Sequence, residues 1–109
     1  YDSFTYTALV TLEGLGFCKP GEGPDFVAGQ RTAPGGEFPL NTNGGGLSYT
    51  HPGMYGSFLL VEAVRQLRGE CGDRQVQSKR DPSQHAQTAI VNGTGGLLSS
   101  TGTVVLASD

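Results

Sequence analysis

Between residues 17 and 46, twelve of thirty positions are Gly or Pro, residues that leave the backbone too free for regular structure or remove its hydrogen-bond donor. No long helix or strand fits there, so the main elements have to come from the flanks. Short apolar pieces at residues 26–28 and 38–40 are the only interruptions. An irregular stretch of this length predicts a segment packed on another part of a larger protein or on a second subunit. At 109 residues, one domain with a modest core is expected.

The flanks are more regular. Residues 2–16 read DSFTYTALVTLEGLG: Asp2 or Ser3 is placed to cap a helix, Phe4, Ala8, Leu12 and Leu15 recur on one face, and Gly16 stops it. Residues 54–68 form the strongest helical pattern, with Phe58, Leu60, Val61, Val64 and Leu67 on an apolar face and Glu62, Arg65, Gln66 and Arg68 opposite. Residues 70–84 are polar, contain Pro82, and predict an exposed crossover. Apolar β-branched runs at 86–91 and 101–107 predict paired strands joined by NGTGGLLSST. The order helix, strand, helix, strand, strand places the chain in the mixed α/β class.

Seven basic and ten acidic residues without a basic cluster argue against nucleic-acid binding, which needs concentrated positive charge. No apolar run approaches the ~20 residues of a membrane span. The chain opens at Tyr1 with neither Met nor a basic leader, which predicts a soluble piece of something longer. Cys18 and Cys71 have no CxxC partner or His at ligand spacing, so the reduced thiols of a cytoplasmic protein are expected, with no metal site. Cys18 reads as structural, and nothing around Cys71 lowers its pKa toward reactivity.

Three Gly-rich sites stand out: NTNGGG at 41–46, HPGMYG at 51–56 and NGTGG at 92–96. None has the spacing of a phosphate-binding loop, and each taken singly is a tight turn. His51, before Pro52, reads as a turn histidine bonded to backbone or as a functional group. Tyr55 reads as a core tyrosine or an acid–base residue. Tyr49 suits loop packing, Tyr6 helix packing, and His85 the surface.

Taken in order, however, NTNGGGLSYTHPGMYG, a helix ending in AVRQLRGECGDRQV and a strand running into NGTGG resemble the C-terminal half of the thiolase superfamily. The likeness is to the lipid-transfer or sterol-carrier-type branch, and within it to actinobacterial steroid side-chain aldolases. Thiolases carry an N-x-GG-x-x-x-x-GHP loop before a helix, then a Cys-x-Gly-Gly-Gly loop. Tyr1-Asp2-Ser3-Phe4 looks like their Asn-Glu-Ala-Phe or His-Asp-Cys-Phe tetrapeptide. The resemblance covers nearly the whole chain. It implies that residues 1–109 are a thiolase-like C-terminal domain, with helices packed on a mixed sheet that ends in two strands. It also implies a homodimer, a coenzyme A thioester as substrate with no further cofactor, and a partner protein with a zinc ribbon and an OB fold.

The departures from the pattern matter as much. Gly93 stands where thiolases have the proton-moving Cys, and Thr50 replaces the Gly of GHP. The nucleophilic Cys of a thiolase belongs to its other half. A site without that thiol but with phenols suits retro-aldol cleavage of a bulky β-hydroxyacyl-CoA, with proton transfer by Tyr55, Tyr1 and Tyr49. The resemblance assigns His51 as one oxyanion donor and the Gly95 N–H as a second. A non-catalytic acyl-CoA- or lipid-binding homologue and a degradative acyl-CoA thiolase are the alternatives.

Overall fold

The structure is a computed structural model that describes residues 1–96 and 98–109. The chain divides into two compact units, one made of Tyr1 with Pro52–Asp109 and the other of Asp2–His51. In chain order the elements are α1 (Thr5–Gly14), α2 (Gly23–Val27), α3 (Gly45–Ser48), α4 (Tyr55–Leu67), a 3-10 turn (Gly72–Arg74), β1 (Thr88–Gly95) and β2 (Ser100–Ala107). The class is mixed α/β, as expected. Among the described residues the sheet is an antiparallel hairpin rather than a mixed sheet, and no strand separates α1 from α4. The Gly and Pro density of residues 17–46 explains why: a strand there would lack both donors and side chains to pack.

In the larger unit α4 lies on one face of the hairpin. Tyr55, Leu59 and Ala63, at helical spacing, join Val91 in a buried cluster, flanked by Tyr1, Ala89 and Leu106. Strand pairing sets Ala89 opposite Leu106, Ile90 opposite Val105 and Val91 opposite Val104. Alternation therefore gives Ala89, Val91 and Leu106 to the α4 side and leaves Ile90 and Val105 on the other, where both are exposed. Ladder pairing runs on through Gly95 and Ser100, so most of NGTGG is strand rather than loop; Leu97 lies outside the described residues.

Within this chain, the face that α4 buries is not the one that hydropathy predicts. Phe58, Leu60 and Val61 are exposed, whereas Glu62 and Gln66 are buried. The cause is the segment after the helix, which supplies polar partners. Arg74 grips the Glu62 carboxylate through Nε and an η nitrogen, each at 3.0 Å. Gln66 Nε2 donates to Glu62 Oε1 at 3.2 Å and to the Arg74 carbonyl at 2.9 Å. Gln66 Oε1 in turn accepts from the Val76 N–H and from Gln75 Nε2, both at 2.9 Å. Residues 70–84 are thus not a simple exposed crossover. Their first part closes over α4, and Cys71 is buried there. Burial raises the Cys71 thiol above its ordinary pKa, the Glu62 carboxylate adds to the effect, and Arg74 opposes it.

In the smaller unit, neither Asp2 nor Ser3 caps α1. Thr7 does so from inside the first turn: its Oγ1 accepts the Phe4 N–H at 3.0 Å and donates to the Phe4 carbonyl at 2.8 Å. Leu12 of the expected apolar face is buried, but Phe4 is exposed, as is Tyr6. Glu13 Oε1 accepts the Gly23 N–H at 2.9 Å and so ties α1 to the start of α2. Residues 17–46 carry organising contacts of their own. Phe38 makes edge-to-face contacts with Phe17 and Phe26, at 4.7 and 5.2 Å between ring centres. The Arg31 guanidinium sits 4.2 Å above the Phe26 ring and pairs with Glu37 at 3.2 Å.

No described helix is long and apolar enough to cross a membrane. Both cysteines are free. Partial burial also raises the Cys18 thiol, helped by Glu13 and Glu22, so neither thiol is activated.

Candidate functional site

The expected site residues fall in both units. Tyr1, Tyr55, Gly93 and Gly95 belong to the larger, and Tyr49 and His51 to the smaller. Within the larger unit the geometry is tight. The Tyr1 backbone nitrogen donates to the Asn92 carbonyl at 2.7 Å, which ties Tyr1 to β1 beside Gly93. Its ring lies 5.1 Å from that of Tyr55, and Tyr55 stacks in turn on Phe58 at 5.7 Å with planes only 11° apart. Tyr55 is 1% exposed, the most completely buried large side chain among the described residues. Tyr1 keeps partial access to solvent. The two phenols therefore differ in burial: Tyr1 is partly exposed in this chain, and Tyr55 is buried against it.

Gly93 of β1 lies beside Gly56 of α4. A Cβ built on Gly93 would lie 3.9 Å from the Gly56 Cα, ordinary van der Waals contact. A Cβ at 93 would therefore not clash with α4, so Gly is not required there by this contact. Gly95 pairs with Ser100 at the end of the ladder.

In the smaller unit, Tyr49 and His51 are exposed, and both follow α3 directly. Gly44 and Gly45 hold φ of 103° and 70°, left-handed values that favour Gly. They turn the chain so that the Gly46 and Leu47 N–H groups meet the Asp2 carboxylate at 2.6 and 3.2 Å. The Gly45 N–H meets Asn43 Oδ1 at 3.0 Å. The N–H groups of residues 44–47 are therefore all taken up from within the chain. Asp2 was expected at the start of α1; nothing in its sequence neighbourhood signals this contact, because the partners lie 44 and 45 residues away.

Elsewhere His85 forms an isolated bridge with Gln77 and is partly buried, its ring 3.2 Å from where a Gly69 Cβ would stand. Among the described residues no group of three or more His, Cys, Asp or Glu gathers as a metal site would require.

Comparison with known proteins identifies the family. The family model described as "Thiolase C-terminal domain-like" matches residues 1–108. The chain is 51% identical over 71 residues to a 17-hydroxy-3-oxo-4-pregnene-20-carboxyl-CoA lyase of Mycobacterium tuberculosis, covering 63% of this chain and 17% of that protein. It is 41% identical over 97 residues to a steroid side-chain-cleaving aldolase of Thermomonospora curvata, covering 87% of this chain and 22% of that protein. It is 38% identical over 86 residues to human sterol carrier protein 2, covering 78% of this chain and 16% of that protein. The chain thus spans about a fifth of the length of these relatives. With a family match along nearly its whole length, and motifs in the family's order, the chain belongs to the thiolase C-terminal domain-like family.

Proposed function

We propose that the protein carrying this chain cleaves a carbon–carbon bond of a bulky β-hydroxyacyl-CoA by a retro-aldol reaction, on a substrate of the steroid side-chain type. The observation that carries the reading is Gly93: the position that matches the family's proton-moving Cys has no thiol, although a Cβ there would meet only the Gly56 Cα at 3.9 Å. The likeness to a lyase and an aldolase named for steroid-type substrates supports it. A base removes the β-hydroxyl proton, the Cα–Cβ bond breaks, and the β-carbon leaves as a ketone. The electron pair passes to the thioester enolate, and an acid returns a proton to its α-carbon. No oxidant or reductant is needed, and coenzyme A enters only as part of the substrate.

Tyr1, partly exposed and tied to β1, is one candidate phenol for these transfers, and exposed Tyr49 is the other. Tyr55, buried beneath Tyr1, acts as a positioning residue instead. His51 stabilises the enolate oxygen, and the Gly95 N–H is the second donor. The active protein is a cytoplasmic homodimer that works with a zinc-ribbon and OB-fold partner.

The test uses the full-length protein, with and without such a partner, and a steroidal β-hydroxyacyl-CoA, following the ketone and the shortened acyl-CoA by mass spectrometry. Tyr1→Phe should lower turnover by roughly 10²- to 10⁴-fold, the usual range for a positioned acid or base. His51→Ala should lower it by about 10²- to 10³-fold, as loss of one oxyanion donor does. Tyr55→Phe keeps the stacked ring and should cost less than either. Substrate binding without cleavage would favour the non-catalytic reading, to which the likeness to sterol carrier protein 2 points. A covalent acyl-enzyme would favour a thiolase.

A further inference from the structure

Asp2 is a buried carboxylate whose two oxygens are both spent on one loop. Oδ1 accepts the Gly46 N–H at 2.6 Å and Oδ2 the Leu47 N–H at 3.2 Å. With Asn43 Oδ1 on the Gly45 N–H, three consecutive main-chain donors end on side chains of this chain. Successive N–H groups that converge in this way form a concavity suited to an anion, and Asp2 is that anion. A Cβ on Gly45 would run into the Asp2 carboxylate, so Asp2 and the turn are in direct contact. The N–H groups of Gly45, Gly46 and Leu47 are accordingly taken up by this chain's own side chains rather than offered to a phosphate.

The same loop leads straight to the candidate chemistry. The Gly45 carbonyl accepts the N–H groups of Tyr49 at 3.0 Å and Thr50 at 3.3 Å, and His51 follows. Asp2 holds the turn from one side while Gly45 holds residues 49–50 from the other. We propose that Asp2 is a positioning residue: its carboxylate locks residues 43–47 and thereby sets the direction in which Tyr49 and His51 leave the turn. The clamp stands on its hydrogen bonds; its link to turnover rests on the reading of Tyr49 and His51 given above.

Two measurements on the full-length protein separate these parts. Amide hydrogen exchange of peptides spanning residues 44–51 reads the clamp, and steady-state kinetics with the β-hydroxyacyl-CoA reads its consequence. In Asp2→Ala, exchange at Gly46 and Leu47 should quicken roughly 10- to 100-fold, the value of hydrogen bonds to a charged acceptor. In Asp2→Asn, which keeps an acceptor oxygen, the change should be smaller, and this variant carries the comparison should the alanine variant fail to fold. The turnover number should fall in the same order while KM stays within about threefold, the pattern of a lost transition-state interaction. Unchanged exchange in both variants overturns the clamp. Quickened exchange with an intact turnover number overturns the positioning role. Quickened exchange in a protein whose wild type cleaves nothing supports the clamp and counts against the retro-aldol reading alone.

Discussion

The two units of this chain hold their shape by different means. In the larger, Tyr55, Leu59, Ala63 and Val91 bury apolar surface between one helix and one hairpin face, and Glu62 and Gln66 tie the same helix to the segment that follows it. In the smaller, the helices α2 and α3 are five and four residues long, too short to be stable by themselves. Its order comes from hydrogen bonds that reach across the sequence, Asp2 to Gly46 and Glu13 to Gly23, and from three phenylalanines with one arginine. The difference teaches where each kind of function belongs. Buried apolar area is non-directional and makes a firm platform. Hydrogen bonds to backbone are directional, and they set the course of an exposed loop such as the one bearing Tyr49 and His51.

The sharpest way to break this contrast is to empty the platform. Tyr55→Ala should cost about 3–5 kcal/mol, as for other large aromatic side chains removed from a core, whereas Tyr55→Phe should cost only about 1 kcal/mol for one buried hydroxyl. Thermal and denaturant unfolding of the full-length protein gives the comparison. A loss in Tyr55→Ala no larger than in Tyr55→Phe would mean that the ring is not part of a packed core.

A smaller effect is expected in the other unit. Phe38→Ala removes two edge-to-face contacts from a partly exposed cluster and should cost roughly 1–2 kcal/mol. Were it to equal Tyr55→Ala in the same measurement, the smaller unit would have an apolar core of its own and the contrast would fall.

The smallest effect concerns Asp81, in a polar turn of the larger unit that is organised as the smaller one is. Ser83 donates its hydroxyl to Asp81 Oδ1 at 2.6 Å and its N–H at 3.0 Å, and Gln84 Nε2 donates to Oδ2 at 3.1 Å. The Ser83 hydroxyl is the main cause that holds this carboxyl below the ordinary value of 3.8. Because the folded state prefers the ionised form, the turn gains stability above the ordinary carboxylate pKa. It loses that stability as the pH falls through the lowered value. Ser83→Ala should move the Asp81 titration back up, as followed by carboxyl NMR; an unmoved titration would show that the remaining donors suffice.

Much of this was legible from residue order. The main helix was expected at residues 54–68 and runs over Tyr55–Leu67; the two terminal strands were expected and pair as a hairpin. Both carry strong local patterns with stop signals at their ends. The choice of buried face on α4 was not legible. Its apolar periodicity favours Phe58, Leu60 and Val61, yet Glu62 and Gln66 go inside. Their partners, Arg74, Gln75 and Val76, appear only when the following segment folds back.

By itself, then, the sequence determined the family, through three Gly-rich motifs in one order, and the positions of the long elements, through periodicity that acts over a few residues. It also determined that a thiol is absent at Gly93. The tertiary structure alone decided that Tyr55 is core while Tyr1 keeps access to solvent, that Asp2 closes on a loop 44 residues away instead of capping its own helix, and which polar residues are buried. The physical reason is common to all three. Burial and hydrogen-bond partnership depend on which distant groups arrive beside a residue, and local propensity carries no record of them.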